Sequence, residues 1–184
     1  MTQPHALPRN PSAPQADAAL LRALTELPLS ALSDNMHRAV GTIGLQPYHR
    51  PGGPTMAGTA VTARSRGGDN LTYLRALDFC RPGDVLLIDA GGDLANAVVG
   101  GILTLYAAKA GLAGVVIDGA IRDVAEIRSR EFPVYARGVT HRGPYKDGPG
   151  EINVPISIGG MVVNPGDVVV GDEDGLLALS LIHI

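Results

Sequence analysis

The chain has no tryptophan and only one cysteine, Cys80, among its 184 residues. A single thiol excludes an internal disulfide and any metal site built from several cysteines, and it is typical of proteins in a reducing cytoplasm. The sequence has no apolar run long enough to span a bilayer, and its first residues lack the basic-then-apolar order of a signal peptide. We therefore expect a cytoplasmic protein with no membrane partner.

Signatures of several enzyme classes are also missing from the sequence. There is no G-x-G-x-x-G, Walker, H-E-x-x-H or G-x-S-x-G motif, which excludes dinucleotide-binding, nucleotide-hydrolysing, zincin and serine-hydrolase readings. The charge is nearly balanced, with 15 Lys and Arg against 18 Asp and Glu and a formal net charge of -3. We therefore expect no nucleic-acid partner, because such binding needs a strongly basic surface.

Glycine and proline are abundant instead, with 24 and 14 residues, and 45% of the chain is apolar. This composition and length predict one domain with many turns and a sizeable core. Four prolines among small and polar residues predict a disordered N-terminal tail over residues 1–17. The last residues, 179–184, resemble a translated sequencing adapter and predict a non-native or truncated C-terminus. The folded domain is then expected over residues 18–178.

Apolar periodicity predicts alternating helices and strands, which is the pattern of an α/β fold. The predicted helices cover 18–27, a short stretch capped by Ser30 or Ser33, a stretch beginning at 71 and capped by Asp69 or Asn70, 102–110, and 124–130. The predicted strands cover 57–64, 85–89, 115–117, 133–136, and a hairpin of 168–170 with 176–179.

The run from Val99 to Asp123 carries the densest chemical signal. Apolar residues at helical spacing predict an amphipathic helix that ends at Gly111. The β-branched residues 115–117 then predict a strand covered on both faces, which Asp118 and Gly119 close as a turn.

Arg122 and Asp123 would then follow the carboxyl end of that strand, where ligands bind in α/β folds. Gly100 and Gly101 lie at the first turn of the helix, where free backbone N–H groups and the helix dipole favour an anion. A guanidinium, a carboxylate and free amides could thus meet around one small anionic ligand.

A simpler interpretation remains open for the same residues. Asp123 followed by Glu126 is also the pattern of a helix N-cap with its capping-box partner. Arg122 could be a surface ion-pair partner, and Gly100 and Gly101 could be a packing notch. Spacing alone does not separate these alternatives.

Six stretches together resemble the regulator of ribonuclease activity A (RraA-like) family, which includes the 4-hydroxy-4-methyl-2-oxoglutarate aldolases. They are Gly67-Gly68-Asp69-Asn70-Leu71, Pro82-Gly83-Asp84-Val85, the run from Gly114 to Asp123, Phe132-Pro133-Val134, Gly150 to Pro155, and Pro165-Gly166-Asp167 to Gly175. The resemblance implies a swivelling β/β/α single domain over 18–178 with mixed sheets flanked by helices. It also implies a homo-oligomer, a trimer or hexamer, with sites between subunits.

By position, the resemblance implies that Arg122 grips the substrate carboxylate, that Asp123 is the direct ligand of a divalent metal, and that the backbone of Gly100, Gly101, Ile102 and Leu103 binds substrate. The implied metal is Mg²⁺, with Mn²⁺ or Co²⁺ as alternatives. The implied reaction cleaves a 4-hydroxy-4-methyl-2-oxoglutarate-like 2-oxo acid, or decarboxylates oxaloacetate, to give pyruvate.

One position departs from the family pattern. The family's active aldolases carry an acid twenty-one residues before the arginine, and this chain has Gly101 there. The departure favours the alternative function, a non-enzymatic protein that regulates a ribonuclease by binding it, whereas the Arg122–Asp123 pair favours the lyase.

Overall fold

The computed structural model describes residues 10–36 and 40–180. Its helices are α1 (Ala18–Thr25), α2 (Leu29–Asn35), α3 (Leu71–Ala76), α4 (Gly101–Lys109) and α5 (Val124–Arg128), with a 3₁₀ turn at Leu77–Phe79. Its strands are β1 (Gln46–Pro47), β2 (Met56–Ser65), β3 (Asp84–Asp89), β4 (Ala97–Val99), β5 (Gly114–Ile121), β6 (Val134–Val139), β7 (Gly150–Ile152), β8 (Ile156–Ile158), β9 (Met161–Val163), β10 (Val168–Asp172) and β11 (Gly175–Leu179).

A mixed sheet organises the described part of the chain. The strand order along it is β1-β6-β5-β3-β2-β10-β11, with β4 also paired to β5 and β7 to β2. Strands β2, β3, β5 and β6 are parallel, whereas β10, β11, β7 and β1 join their neighbours antiparallel. The separate hairpin β8–β9 packs against one face. This is the mixed α/β class that the sequence predicts.

The central strands are buried on both faces because their side chains alternate between two cores. Leu86 and Ile88 of β3 face the core under the helices, where Tyr73, Ala107 and Ile127 are buried. The other side chains of the same strand, including Leu87, join the core closed by the β8–β9 hairpin. Parallel strands that are covered on both faces in this way appear in the amino-acid sequence as continuous apolar runs.

The prediction that Asp118 and Gly119 end the third parallel strand is wrong. Strand β5 continues through both residues to Ile121, because its last part pairs with β4 on one side and β6 on the other. Asp118 is tolerated inside the strand since its carboxylate accepts hydrogen bonds from Gly159 N at 2.7 Å and Arg137 Nε at 2.5 Å. The longer strand still delivers Arg122 and Asp123 directly beyond its carboxyl end.

The prediction of an amphipathic helix at 102–110 is correct in place, and of the apolar residues that indicate it Ala107 is buried, whereas Ile102 and Tyr106 are not. Helix α4 buries Gly101, Thr104 and Ala107, while Ile102 and Tyr106 are 67% and 61% exposed. Thr104 fits the buried side because its hydroxyl donates to the carbonyls of Gly100 and Gly101. Because this hydroxyl is satisfied within its own helix, Thr104 can be buried although it is polar. A pattern of apolar spacing cannot reveal such a residue.

The two ends of the predicted domain are described in part. Residues 10–17 form no helix or strand, yet they lie against the sheet: Gln15 Nε2 donates to Asp84 Oδ1 at 2.8 Å, and Ala16 N donates to Thr59 Oγ1 at 2.9 Å. Residues 1–9 and 181–184 lie outside the described residues, and Leu179 is the last residue of β11. Within the described ranges, none of the helices has the length and apolar character to cross a membrane.

Candidate functional site

A cavity of about 240 Å³ opens where β4 and β5 end and α4 begins. The residues that line it come from four stretches of the chain: Asn70, Leu74, Val98, Val99, Gly100, Ile102, Leu103, Arg122, Asp123, Pro144 and Lys146. The six site residues that the sequence analysis named fall into two groups, those that line the cavity and one that does not. Gly100, Ile102, Leu103, Arg122 and Asp123 line the cavity, and Gly101 lies next to it without lining it.

Asp123 has an unusual backbone conformation at the mouth of the cavity. Its φ is 59°, in the left-handed region that non-glycine residues seldom adopt and that aspartate tolerates better than most. It occupies the N-cap position of α5, but its side chain makes no capping hydrogen bond to that helix. Its Oδ2 instead accepts from Gly101 N at 3.0 Å. The capping-box interpretation is therefore wrong, and the carboxylate faces the start of α4.

Arg122 lies beside this carboxylate and is half-exposed. Its Nε is 3.8 Å from Asp123 Oδ2, an ion pair too long for a hydrogen bond. Its backbone N donates to Val99 O at 3.0 Å, which fixes the residue at the end of the sheet. The guanidinium therefore sits at the cavity with its fork of donors not consumed by Asp123, as carboxylate recognition requires.

Gly100 is required by close approach rather than by its φ. A Cβ at this position would overlap Asp123 Oδ2 and come within 2.9 Å of Arg122 Cγ. The absence of a side chain therefore lets both charged groups approach the first turn of α4. There the backbone N–H groups have no acceptor within the helix and carry the positive end of its dipole.

Gly101, the position of the missing family acid, is occupied from the opposite side. A Cβ there would overlap the carboxylate of Glu126, which reaches across from α5. Arg130 holds Glu126 in place through an ion pair and donates from its Nη1 to Gly101 O at 2.8 Å. In the described structure Glu126 thus fills the space that a side chain at residue 101 would need.

Tyr73 supports the α4 end of the cavity from inside the core. Its side chain is fully buried, and its hydroxyl donates to Leu103 O at 3.1 Å. Burial raises the pKa of Tyr73 well above its usual value, so the hydroxyl keeps its proton and remains a donor. The first turn of α4 is therefore fixed by a neutral hydrogen bond.

Sequence reasoning did not name Asn70 or Lys146 as residues of this site, although the polar, glycine-rich loop 141–151 that carries Lys146 is of a kind that lines a subunit contact or closes over a site. Asn70 is 4% exposed, and its buried Oδ1 has no hydrogen-bond partner within the described structure. A buried polar atom without a partner is costly, and this one belongs to a residue that lines the cavity. Its position before α3 predicts a helix cap, a role that Asp69 takes by accepting from Leu71 N at 2.9 Å. Lys146 comes from a glycine- and proline-rich loop, which carries no periodic signal.

A family model described as "RraA-like: Aldolase/RraA" matches residues 29–178 of the chain. The chain belongs to the RraA-like family. A protein of Halalkalibacterium halodurans, provisionally named 4-hydroxy-4-methyl-2-oxoglutarate aldolase, is 37% identical over 166 residues, which is 90% of this chain and 78% of that protein. A Thermus thermophilus protein named 4-hydroxy-4-methyl-2-oxoglutarate aldolase is 40% identical over 111 residues, which is 60% of this chain and 68% of that protein.

The fold agrees with that of a solved RraA-like protein. The structure of the RNA-processing inhibitor RraA from Thermus thermophilus superposes with a TM-score of 0.75 at 34% identity, covering 84% of this chain and 93% of that one. The RraA-like fold predicted from the sequence motifs is thereby confirmed. The names of the relatives span two kinds of function, an aldolase and an inhibitor of RNA processing.

Proposed function

We propose that this RraA-like protein is a divalent-metal-dependent carbon–carbon lyase of the class II aldolase type. Its substrates would be 2-oxo acids similar to 4-hydroxy-4-methyl-2-oxoglutarate, oxaloacetate, or both, and each reaction would yield pyruvate. The observation that carries the proposal is the convergence of Arg122, Asp123 and the α4 N-terminus on one cavity, which Asn70 also lines.

Arg122 is suited to hold the carboxylate next to the 2-oxo group. A planar guanidinium binds a carboxylate with two parallel hydrogen bonds, which fixes its orientation as well as its position. The backbone amides of Ile102 and Leu103, in the first turn of α4, supply further donors on the same side of the cavity. A substrate held at one end by these groups presents its scissile bond to the Asp123 side.

The oxygen donors present fit a hard divalent cation. The carboxylate of Asp123 and the side-chain amide of Asn70, two residues that line the cavity, are the kinds of group whose oxygens Mg²⁺ prefers. In residues 10–36 and 40–180 no three His, Cys, Asp or Glu side chains converge as a metal cluster. The ion would therefore be held by Asp123 with most of its ligands from water or substrate, as Mg²⁺ often is. When bound, it would supply Lewis-acid stabilisation of the charge that develops on the 2-oxo oxygen.

We also propose that the protein is a homo-oligomer, a trimer or a hexamer, with the cavity near a contact between subunits. Ile102 and Tyr106 lie one turn apart on α4 and are both largely exposed. Exposed apolar side chains on one helix face are typical of a contact surface. The same helix begins at the cavity, so a neighbouring subunit on this face would lie close to a bound acid.

A non-enzymatic regulator of a ribonuclease is the second candidate function. The absence of an acid at Gly101 and the name of the Thermus thermophilus structure support it. The two candidates differ in one measurable property, because only the lyase requires a metal-dependent turnover that uses Arg122 and Asp123.

A coupled pyruvate assay tests the lyase. Oxaloacetate and 4-hydroxy-4-methyl-2-oxoglutarate are supplied with Mg²⁺ or with a chelator, and the rate with Mg²⁺ alone is subtracted because oxaloacetate decays in its presence. We expect turnover that the chelator abolishes. Asp123→Asn should lower kcat/KM by more than about 100-fold, since losing even an outer-shell partner of a metal costs about 10- to 100-fold.

Arg122→Lys should lower kcat/KM by about 10- to 100-fold, because one charge-assisted hydrogen bond contributes roughly 1.5–3 kcal/mol. Arg75→Lys, an exposed arginine on α3, serves as the matched control and should leave the rate unchanged. A wild-type rate no higher than that of Mg²⁺ alone, for both acids, would reject the lyase and favour the ribonuclease-binding regulator.

A further inference from the structure

The segment 144–148 forms one wall of the cavity, and it contributes Pro144 and Lys146 to the lining. It has no helix and only one isolated bridge, between Tyr145 and Asp69. A loop with so little regular structure needs specific contacts to hold a constant position. Those contacts are concentrated on one buried carboxylate.

Asp69 is fully buried and uses both of its carboxylate oxygens. Oδ1 accepts from Leu71 N at 2.9 Å, which caps α3. Oδ2 accepts from Asp147 N at 2.8 Å and from Gly148 N at 3.0 Å, both in the cavity wall. One side chain therefore joins the start of α3 to the wall segment.

Arg66 and the neighbouring backbone reinforce this junction. Arg66 Nη2 lies 3.6 Å from Asp69 Oδ2 and 3.7 Å from Asp147 Oδ2, and its guanidinium lies over the Tyr145 ring at 5.0 Å. Tyr145 N donates to Gly68 O at 2.8 Å, and Asn70 N donates to Tyr145 O at 3.0 Å. Several residues of the wall are thus bonded directly to the 66–70 loop.

These bonds affect the cavity because two of the bonded residues are adjacent in sequence to residues that line it. Asn70, with its free oxygen, is adjacent to Asp69 in sequence, and Lys146 is adjacent to Asp147. At the other end of the wall, a Cβ at Gly143 would come within 3.0 Å of Arg122 Nη1. A displacement of the wall would therefore move polar groups on two sides of the cavity at once.

We propose that Asp69 is a positioning residue of the RraA-like site: its buried carboxylate ties the wall 144–148 to the α3 side, and so sets where Asn70 and Lys146 stand relative to a bound 2-oxo acid. This inference rests on the proposed lyase function for its kinetic consequence. Its structural part, the fixing of the wall by Asp69, is measurable without turnover.

Two variants test the inference. Asp69→Asn keeps the shape of the side chain but removes its negative charge. The bonds from Asp147 N and Gly148 N then lose their charge assistance, and the amide nitrogen cannot accept any of the three N–H groups that the two carboxylate oxygens accept. Arg66→Gln removes the charge partner from a partly exposed position, and it remains informative if Asp69→Asn does not fold. Asp84→Asn is the matched control, because Asp84 is equally buried and accepts from Arg81 N at 2.8 Å, at the opposite end of β3.

Hydrogen exchange, pyruvate binding and steady-state kinetics are measured on each full-length protein. In Asp69→Asn we expect the amides of residues 145–148 to exchange at least 10-fold faster while those of β5 are unchanged. KM and the Kd for pyruvate should rise by about 10-fold or more, with kcat changed less than about 3-fold. Arg66→Gln should shift the same quantities in the same direction by smaller factors. Asp84→Asn should change none of them.

Each contrary result bears on a separate claim. Unchanged exchange of residues 145–148 in Asp69→Asn would overturn the inference. Faster exchange with unchanged KM and pyruvate Kd would overturn it too, since Asp69 would then be only structural. A wild-type protein that binds pyruvate but releases none from either acid would overturn the proposed function alone. The Kd comparison would then decide the role of Asp69.

Discussion

Asp123 combines a strained backbone with a partly exposed carboxylate at the cavity. A non-glycine residue at a φ of 59° is held against its own preference by its surroundings, and such positions cluster at functional sites. Here the strain directs the carboxylate away from α5 and toward Gly101 N. The residue gives up a helix cap, commonly worth about 1 kcal/mol, in favour of a position at the cavity.

The contact between Gly101 and Glu126 leads to a prediction whose sign depends on the background. In the wild type, Gly101→Ala should lower the free energy of unfolding by up to about 1 kcal/mol, because its Cβ displaces the flexible, partly exposed Glu126 carboxylate from its ion pair with Arg130. In a Glu126→Ala background the same change should raise it by roughly 0.5–1 kcal/mol, since alanine favours a helix more than glycine does. Urea unfolding of the four proteins measures both effects.

Gly160→Ala provides the control for glycine replacement in general. Gly160 has a φ of 83° and open space where a Cβ would stand, so its replacement should cost stability equally with Glu126 present or replaced by alanine. Additive effects of Gly101→Ala and Glu126→Ala would contradict the contact, because residues that touch show coupled energies.

At the scale of elements, the sequence predicted the central strands and their connection to Arg122 and Asp123, because β-branched runs and turn residues are local signals. It did not predict the continuation of β5 past Asp118, since the partners Gly159 and Arg137 are distant in sequence. Asn70 and Lys146 were missed for the same reason: the cavity they share is created by packing, and no spacing along the chain encodes it.

Helix α4 provides a test of the proposed assembly. Ile102→Lys should lower the mass of the particle in solution to that of a smaller species, because a buried charge at a subunit contact is costly without a partner. Val162→Lys on β9 is the matched control. Val162 is also an aliphatic residue, and at 66% it is about as exposed as Ile102. Light scattering after size exclusion measures both. A change of mass in Val162→Lys alone would place the contact on the β8–β9 hairpin instead of α4.

At the scale of the whole molecule, one buried histidine couples stability to pH. His49 is 6% exposed, and its Nδ1 accepts from Val134 N at 3.2 Å, which requires that nitrogen to be unprotonated. Burial lowers the pKa of His49 below its usual 6.5, an effect partly offset by the Val134 carbonyl and by Glu173. The folded protein therefore binds a proton on His49 less readily than the unfolded chain does.

The sign of the pH effect follows from linkage. Below pH 6.5 the unfolded chain takes up a proton that folded His49 refuses, so stability falls as the pH decreases from 6.5 toward the lowered folded pKa. Each unit of pKa lowering contributes about 1.4 kcal/mol to this loss. Urea unfolding at pH 7.5 and 5.0 should show a smaller loss in His49→Gln than in the wild type. Equal losses in the two proteins would contradict this role, and exposed His141, replaced by Gln, should leave the loss unchanged.

The wall of the cavity is held mainly through backbone atoms. Arg142 O accepts from Ala97 N at 3.0 Å, Gly143 O accepts from Asn96 Nδ2 at 2.7 Å, and the N–H groups of Asp147 and Gly148 donate to Asp69. Side chains between these anchors can therefore diverge among descendants of this sequence without loosening the segment. Under the proposed lyase function, the choice of acid would be free to change through positions 144–146 while the Arg122–Asp123 pair stays fixed.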